Sequence, residues 1–155
     1  MNRKKTIPGK RIRAQKGSVL VEFALSMLLY FALFAGVFGF GYSLNAYSMV
    51  QNAVRDGARY ASRKPYDSST ATPSQTFMTA VKNRVVYSDP AGGTVPVVNG
   101  LTTANVQLDV IMNGSAPMQM TVSITNFNVN AVFFQYNMNG FPSVTFPYLG
   151  IPTPP

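Results

Sequence analysis

The sequence contains no cysteine, no histidine and no tryptophan. Without cysteine there is no disulfide and no thiolate. Without histidine the usual zinc and haem ligands and the Ser-His and Cys-His nucleophile pairs are gone as well. Acids are scarce: Glu22, Asp56, Asp67, Asp89 and Asp109 are all there are in 155 residues. They stand far apart along the chain, which leaves a paired-carboxylate hydrolase little support. No glycine-rich phosphate loop is present either. The expectation is a protein that is not an enzyme, with no cofactor, no metal site and no small-molecule substrate.

Positive charge is plentiful but local. The chain carries a net +8, and Arg3, Lys4, Lys5, Lys10, Arg11, Arg13 and Lys16 supply seven of its thirteen cations with no acid among them. From residue 17 onward six cations meet five acids, so the basic character belongs to a short leader, residues 1–17. The "RKK" and "KRIR" clusters have the charge to neutralise nucleic-acid phosphates. They also stand directly before an apolar stretch, where a membrane protein needs its cytoplasmic anchor, and no nucleic-acid partner is expected.

From Phe23 to Tyr42 no residue is charged, and twenty helical residues at ~1.5 Å each cover the ~30 Å of a bilayer's hydrocarbon core. This predicts a transmembrane helix. Cations before it, and none after it until Arg55, place the N-terminus in the cytoplasm and the remainder outside. A secretory signal peptide fits less well, because its apolar region runs only ~7–15 residues before a small-residue cleavage site. Ala32 and Gly36, and likewise Ala35 and Gly39, are small-residue pairs one turn apart that would admit a second helix, or else simply face lipid.

The helical period continues past the apolar run. Tyr47, Val50, Val54, Ala58 and Ala61 recur at spacings of three and four, while Gln51, Arg55, Arg59 and Arg63 form a polar ladder. A single helix over 18–63 would be about 69 Å long, too long to lie within a bilayer, with Pro65 ending it. Arg55, Asp56, Arg59 and Arg63 are either a solvated face, aided by the Asp56 to Arg59 spacing, or a subunit contact.

Glu22 is the exception in the apolar segment. A carboxylate within a span costs roughly 2.5–3.5 kcal/mol at its centre and less near its end, and such a residue usually has a task. Cleavage after Gly17 would create an amino group at Ser18 about one turn from Glu22. That ammonium and the carboxylate, of one chain or of two, would neutralise each other in an apolar bundle. A glutamate kept wet by the headgroups is the equal alternative.

The stretch Gly17-Ser-Val-Leu-Val-Glu22-Phe23, behind a basic leader and ahead of an apolar helix, resembles the cleavage region of type IV pilin-like proteins. "GSVLVEFAL", followed by "QNAVRDGARYAS" over 51–62, is similar more narrowly to the TadE-like minor pseudopilins of tight-adherence (Flp) pilus systems. Arg55, Asp56, Gly57, Ala58, Arg59 and Ala61 match a segment that recurs there. The resemblance covers about residues 16–63. It implies cleavage between Gly17 and Ser18 by a prepilin peptidase, an assembly or processing role for Glu22 and Phe23, and partnership with other pilin-like subunits, the pilus assembly platform and the lipid membrane. It implies a bacterial inner-membrane location, single-pass, with the C-terminal domain periplasmic, or extracellular once in a pilus. The competing reading is an unprocessed single-pass scaffold whose outer domain binds a partner or ligand.

The rest of the chain reads as a small outer domain. "KPYDSSTATPS", residues 64–74, has linker composition. Thr72, Pro73 and Gln75 fit N-cap, N1 and N3 of a short helix to about Tyr87. The period then changes to two in 106–112 and 118–124, flanking an Asn113-Gly114 turn, with further short strands expected at 95–98, 129–134 and 143–146. The Pro-rich end, "FPYLGIPTPP", reads as irregular surface chain. The fold class expected is α+β: a long N-terminal transmembrane helix extending outward, then a domain over 75–155 in which a short helix packs on an antiparallel sheet.

Overall fold

The computed structural model describes residues 13–130 and 135–150, with side chains from Gly17 onward. The leader up to Ile12, residues 131–134 of an expected strand and the last five residues lie outside the described residues. The chain divides after Phe38 into two compact units.

One helix, α1 (Arg13–Arg63), runs through both units. In the first unit its side chains are exposed on every side, including Leu20, Leu28, Phe31 and Phe38. It is the one helix among the described residues long and apolar enough to cross a membrane. In the second unit the same helix becomes amphipathic. Ala46, Val50, Ala53, Val54, Ala58 and Ala61 are buried, while Arg55, Arg59 and Arg63 stay exposed. The helix stops at Arg63, two residues before Pro65, as the steric restriction ahead of proline requires.

The second unit adds α2 (Gln75–Tyr87) and five strands. β1 (Val106–Asn113), β2 (Ala116–Ile124) and β5 (Ser143–Pro147) form an antiparallel sheet in the order β1-β2-β5. β3 (Phe127–Asn130) and β4 (Gln135–Met138) form a separate antiparallel ribbon. The architecture is α+β, with a long apolar N-terminal helix, a short helix and antiparallel sheets. Buried Met120, Val122 and Ile124 of β2 alternate along one sheet face and join Phe77, Val81 and Val85 of α2 and the α1 stripe in one core. Each valine, isoleucine, phenylalanine or methionine among them contributes about 1.5–3 kcal/mol when fully withdrawn from water.

Gly114, with φ 63, makes the Asn113-Gly114 turn between β1 and β2. The register slips between Ile111 and Met112, opposite Pro117, whose missing N–H cannot join a regular ladder.

Several local expectations are corrected. The N-cap of α2 is Ser74, not Thr72: the Ser74 hydroxyl accepts from the Phe77 N–H at 3.1 Å, and Asp67 braces it by accepting from the Ser74 N–H and hydroxyl. A partner seven residues upstream outweighs the local pattern. Residues 95–98 form no strand. Pro96 interrupts any ladder, and the Val97 N–H bonds instead to the Val86 carbonyl at 2.7 Å, leaving Val98 and Leu101 to fill the core. The strand expected over 129–134 begins earlier, as β3, and β4 follows it.

Residues 64–74, of linker composition, supply a core residue. Tyr66 is fully buried, edge-on to Phe77 at 5.5 Å, and its hydroxyl donates to the Thr70 carbonyl at 2.6 Å. Phe146 and Pro147 of the Pro-rich end belong to β5, and the next three residues bind the end of α1. The Leu149 and Gly150 N–H groups donate to the Ser62 carbonyl at 2.8 and 3.0 Å, satisfying an acceptor that the helix leaves unpaired. The Tyr148 hydroxyl accepts from the Tyr66 N–H at 2.9 Å and donates to the Lys64 carbonyl at 3.2 Å.

Burial raises the pKa of both Tyr66 and Tyr148 above the usual 10.0, with the Asp67 carboxylate adding to the shift at Tyr66. A phenol whose folded pKa is raised gives stability that is complete below about pH 10 and lost as pH rises through the folded value. Tyr148→Phe should therefore lower unfolding stability by about 1 kcal/mol at neutral pH and reduce the loss seen above about pH 10. Thermal unfolding of the full chain in detergent at both pH values tests this. Equal melting temperatures and parallel pH profiles for the two proteins would refute the role given to the Tyr148 hydroxyl.

Candidate functional site

Two places on α1 carry the residues singled out by sequence. At the first, Gly17, Ser18, Glu22 and Phe23 are all exposed. Among the described residues no side-chain hydrogen bond or ion pair reaches the Glu22 carboxylate. A Cβ built at Gly17 meets nothing within 4 Å, and the same holds at Gly36. Glycine inside a helix costs about 1 kcal/mol relative to alanine, and no packing among the described residues compensates for it at either position. Ala32 is exposed, Ala35 and Gly36 are half-buried, and Gly39, at the start of the second unit, is buried with its carbonyl accepting from the Ser43 hydroxyl at 2.9 Å.

At the second place the ladder residues separate. Asp56 points to α2, where Arg84 Nε donates to its Oδ2 at 2.7 Å, the single ion pair among the described residues. Arg84 Nη1 also donates to the Ser88 carbonyl at 2.7 Å, tying the pair to the C-terminal end of α2. The i, i+3 partner expected for Asp56, Arg59, is not the one it takes. Arg55, Arg59 and Arg63 remain exposed on successive turns.

Next to Asp56 lies Gly57, and here glycine is required. A Cβ at Gly57 would stand 2.2 Å from Val85 Cγ2 of α2. Both Gly57 and Val85 are buried, so α2 reaches this depth only because residue 57 has no side chain.

Between the two helices and the chain after α1 lies an open groove of about 500 Å³, lined by Asp56, Arg59, Arg63, Lys64 and Arg84, with Tyr60 and Pro65 completing its wall. Lys64 Nζ stands over the rings of Tyr60 and Phe77 at 5.7 and 5.5 Å. Four cations thus face one carboxylate that Arg84 already engages. Lys64 and Arg84 were not among the residues sequence reasoning selected. Nothing local links Arg84 to Asp56, 28 residues away; the local signal available was Gly57 itself, a glycine within an otherwise strong helical pattern, whose close approach to α2 was not read from the sequence.

Residues 17–59 match the family model described as TadE-like protein. No curated protein and no solved structure matches the chain. The match associates the chain with tight-adherence pilus membrane proteins. The TadE-like segment begins at Gly17 and ends at Arg59, so it contains the apolar helix together with Asp56 and Gly57. Its last residues are where α1 receives α2.

Gly57→Ala would gain up to about 1 kcal/mol of helix propensity but set a methyl into a stiff, buried valine, at about 1–3 kcal/mol for overpacking. The clash wins. Gly57→Ala should lower the melting temperature by several degrees, and adding Val85→Ala should recover part of the loss beyond additivity. If Gly57→Ala melted at or above the parent temperature, α2 would not seat at Gly57 as described.

Proposed function

We propose that this protein is a minor pseudopilin of a tight-adherence pilus. It inserts in the bacterial inner membrane through the apolar part of α1, with the leader cytoplasmic and the second unit periplasmic, and is cut by prepilin peptidase between Gly17 and Ser18. After cleavage it takes part in assembling, priming or capping the pilus. Its work is association, not catalysis.

One observation carries this reading. The TadE-like match opens at Gly17, a glycine that no contact among the described residues calls for, five residues before a carboxylate that no group among the described residues pairs. Both become intelligible if a peptidase needs the glycine and if the new Ser18 ammonium, from the same chain or a neighbour, meets Glu22. Phe23 and the small residues Ala32, Ala35, Gly36 and Gly39 then lie along a helix available to other pilin-like helices and to the assembly platform. The alternative is a permanent, uncut single-pass scaffold with a partner-binding outer unit.

Intact mass and N-terminal sequencing of the membrane-extracted protein, with and without the peptidase, separate the two. A start at Ser18 that depends on the peptidase is expected. A start at Met1 in both preparations would establish the uncut scaffold instead. Gly17→Ala should abolish the shift, and Glu22→Ala should leave membrane insertion intact while lowering pilus output. Normal output from Glu22→Ala would remove the assembly role from that residue.

A further inference from the structure

We infer that the groove beside the end of α1 is a docking site for an acidic segment of a partner protein, held chiefly by Arg59, Arg63 and Lys64. This replaces the general expectation of a subunit contact at the arginine ladder with a specific site and chemistry. It holds whether or not the chain is cut after Gly17.

The charge balance comes first. Of the groove's four cations, Arg84 is engaged by Asp56, while Arg59 and Arg63 have no ion pair among the described residues, and Lys64 Nζ lies against two aromatic rings. Such an uncompensated cluster raises the local concentration of anions and favours carboxylates, which guanidinium binds in two-point fashion. Geometry comes second. Arg59 and Arg63 are four residues apart on one helix face, about 6 Å along its axis. Alternate side chains of an extended strand are about 6.8 Å apart, so a strand with an acid at every second position presents carboxylates at nearly the same repeat. Tyr60 and Pro65 give the wall an apolar surface for the intervening residues.

The occupant is neither lipid nor a second copy. Arg59 lies seventeen residues beyond Tyr42 on the same helix, about 25 Å past the end of the apolar run, whereas a headgroup layer is about 5–8 Å deep. This chain's own five acids are scattered singly, Glu22 and Asp56 being 34 residues apart, so it contains no alternating acidic strand to offer itself.

The test uses the full chain in non-ionic detergent and a fluorescein-labelled peptide of alternating Asp and Gly, with the Asn-Gly analogue as control. Anisotropy should report binding of the acidic peptide only. R59Q/R63Q should weaken it about tenfold, whereas Arg55→Gln, which removes a charge outside the groove, should change it less than about twofold. Because both arginines are exposed, melting temperature should be unchanged. If the double variant does not fold, Arg59→Gln and Arg63→Gln singly should each weaken binding about threefold. Equal weakening by Arg55→Gln, binding of the Asn-Gly peptide, or no effect of the groove variants would overturn the proposal. So would displacement by inorganic phosphate at matched ionic strength, which would make this a phosphate site, or a dimer dissociated by R59Q/R63Q, which would assign the surface to a second copy.

Discussion

The second unit rests on a stripe of small side chains. Along the C-terminal half of α1, Ala46, Ala53, Ala58 and Ala61 alternate with Val50 and Val54, and Gly57 stands among them. Small residues on a helix let neighbours come close, and what comes close here is larger: Phe77 and Val85 from α2, Tyr66 from the chain after α1, Met120 and Ile124 from β2. The bulk of the core is therefore supplied from outside the helix. Enlarging the stripe would displace several elements at once, because tightly packed interiors have few voids to absorb it. In its first unit the same helix buries no such stripe among the described residues and, Glu22 apart, carries no charge from Gly17 to Phe38, the pattern of a helix whose solvent is not water.

Electrostatics plays a different part from packing. The Asp56 to Arg84 pair is partly exposed, its side chains 46% and 33% accessible, so its worth to stability is about 0–1 kcal/mol. What it does is set alignment. Asp56 and Gly57 are adjacent, so the pair and the closest backbone approach lie side by side, and Arg84, one residue from Val85, fixes where α2 meets α1. It also withdraws the groove's carboxylate from competition for any incoming anion. An interaction of small energy can in this way decide which charges on the surface remain available.

The legible parts of this structure were those governed by period and by backbone stereochemistry. The continuation of α1 past the apolar run, its stop before Pro65, the α2 segment, the β1–β2 hairpin at Asn113-Gly114 and β5 all follow from 3.6- and 2-residue patterns and from Pro and Gly, whereas α1 starts at Arg13, five residues earlier than expected. What escaped was set by distant partners. Ser74 displaces Thr72 as the cap because Asp67 reaches it, and Tyr66 is buried in a segment whose composition reads as a linker. Val97 gives its N–H to Val86 and joins no sheet. At the candidate site the ladder was visible as a ladder, but only folding shows that Asp56 leaves it for Arg84 and that Lys64 and Arg84 bring the cluster to four cations.

Features that a fold does not use are informative about what lies outside it. Ser74, Tyr66, Gly57 and Asp56 are each accounted for by a contact within the chain. Gly17 and Glu22 are not, and both run against local preference: glycine weakens a helix, and a carboxylate is unwelcome in an apolar stretch. Among the described residues neither has an internal compensation, and the proposed cleavage and charge pairing would each supply one from outside the chain. Arg59 and Arg63 are the weaker version of the same case, since exposed arginine is ordinary and only their convergence with Lys64 beside an already neutralised aspartate sets them apart. Yet the two ends of the TadE-like segment are physically independent, because the proposal at one concerns a cut in the chain and the proposal at the other concerns a surface that exists with or without it.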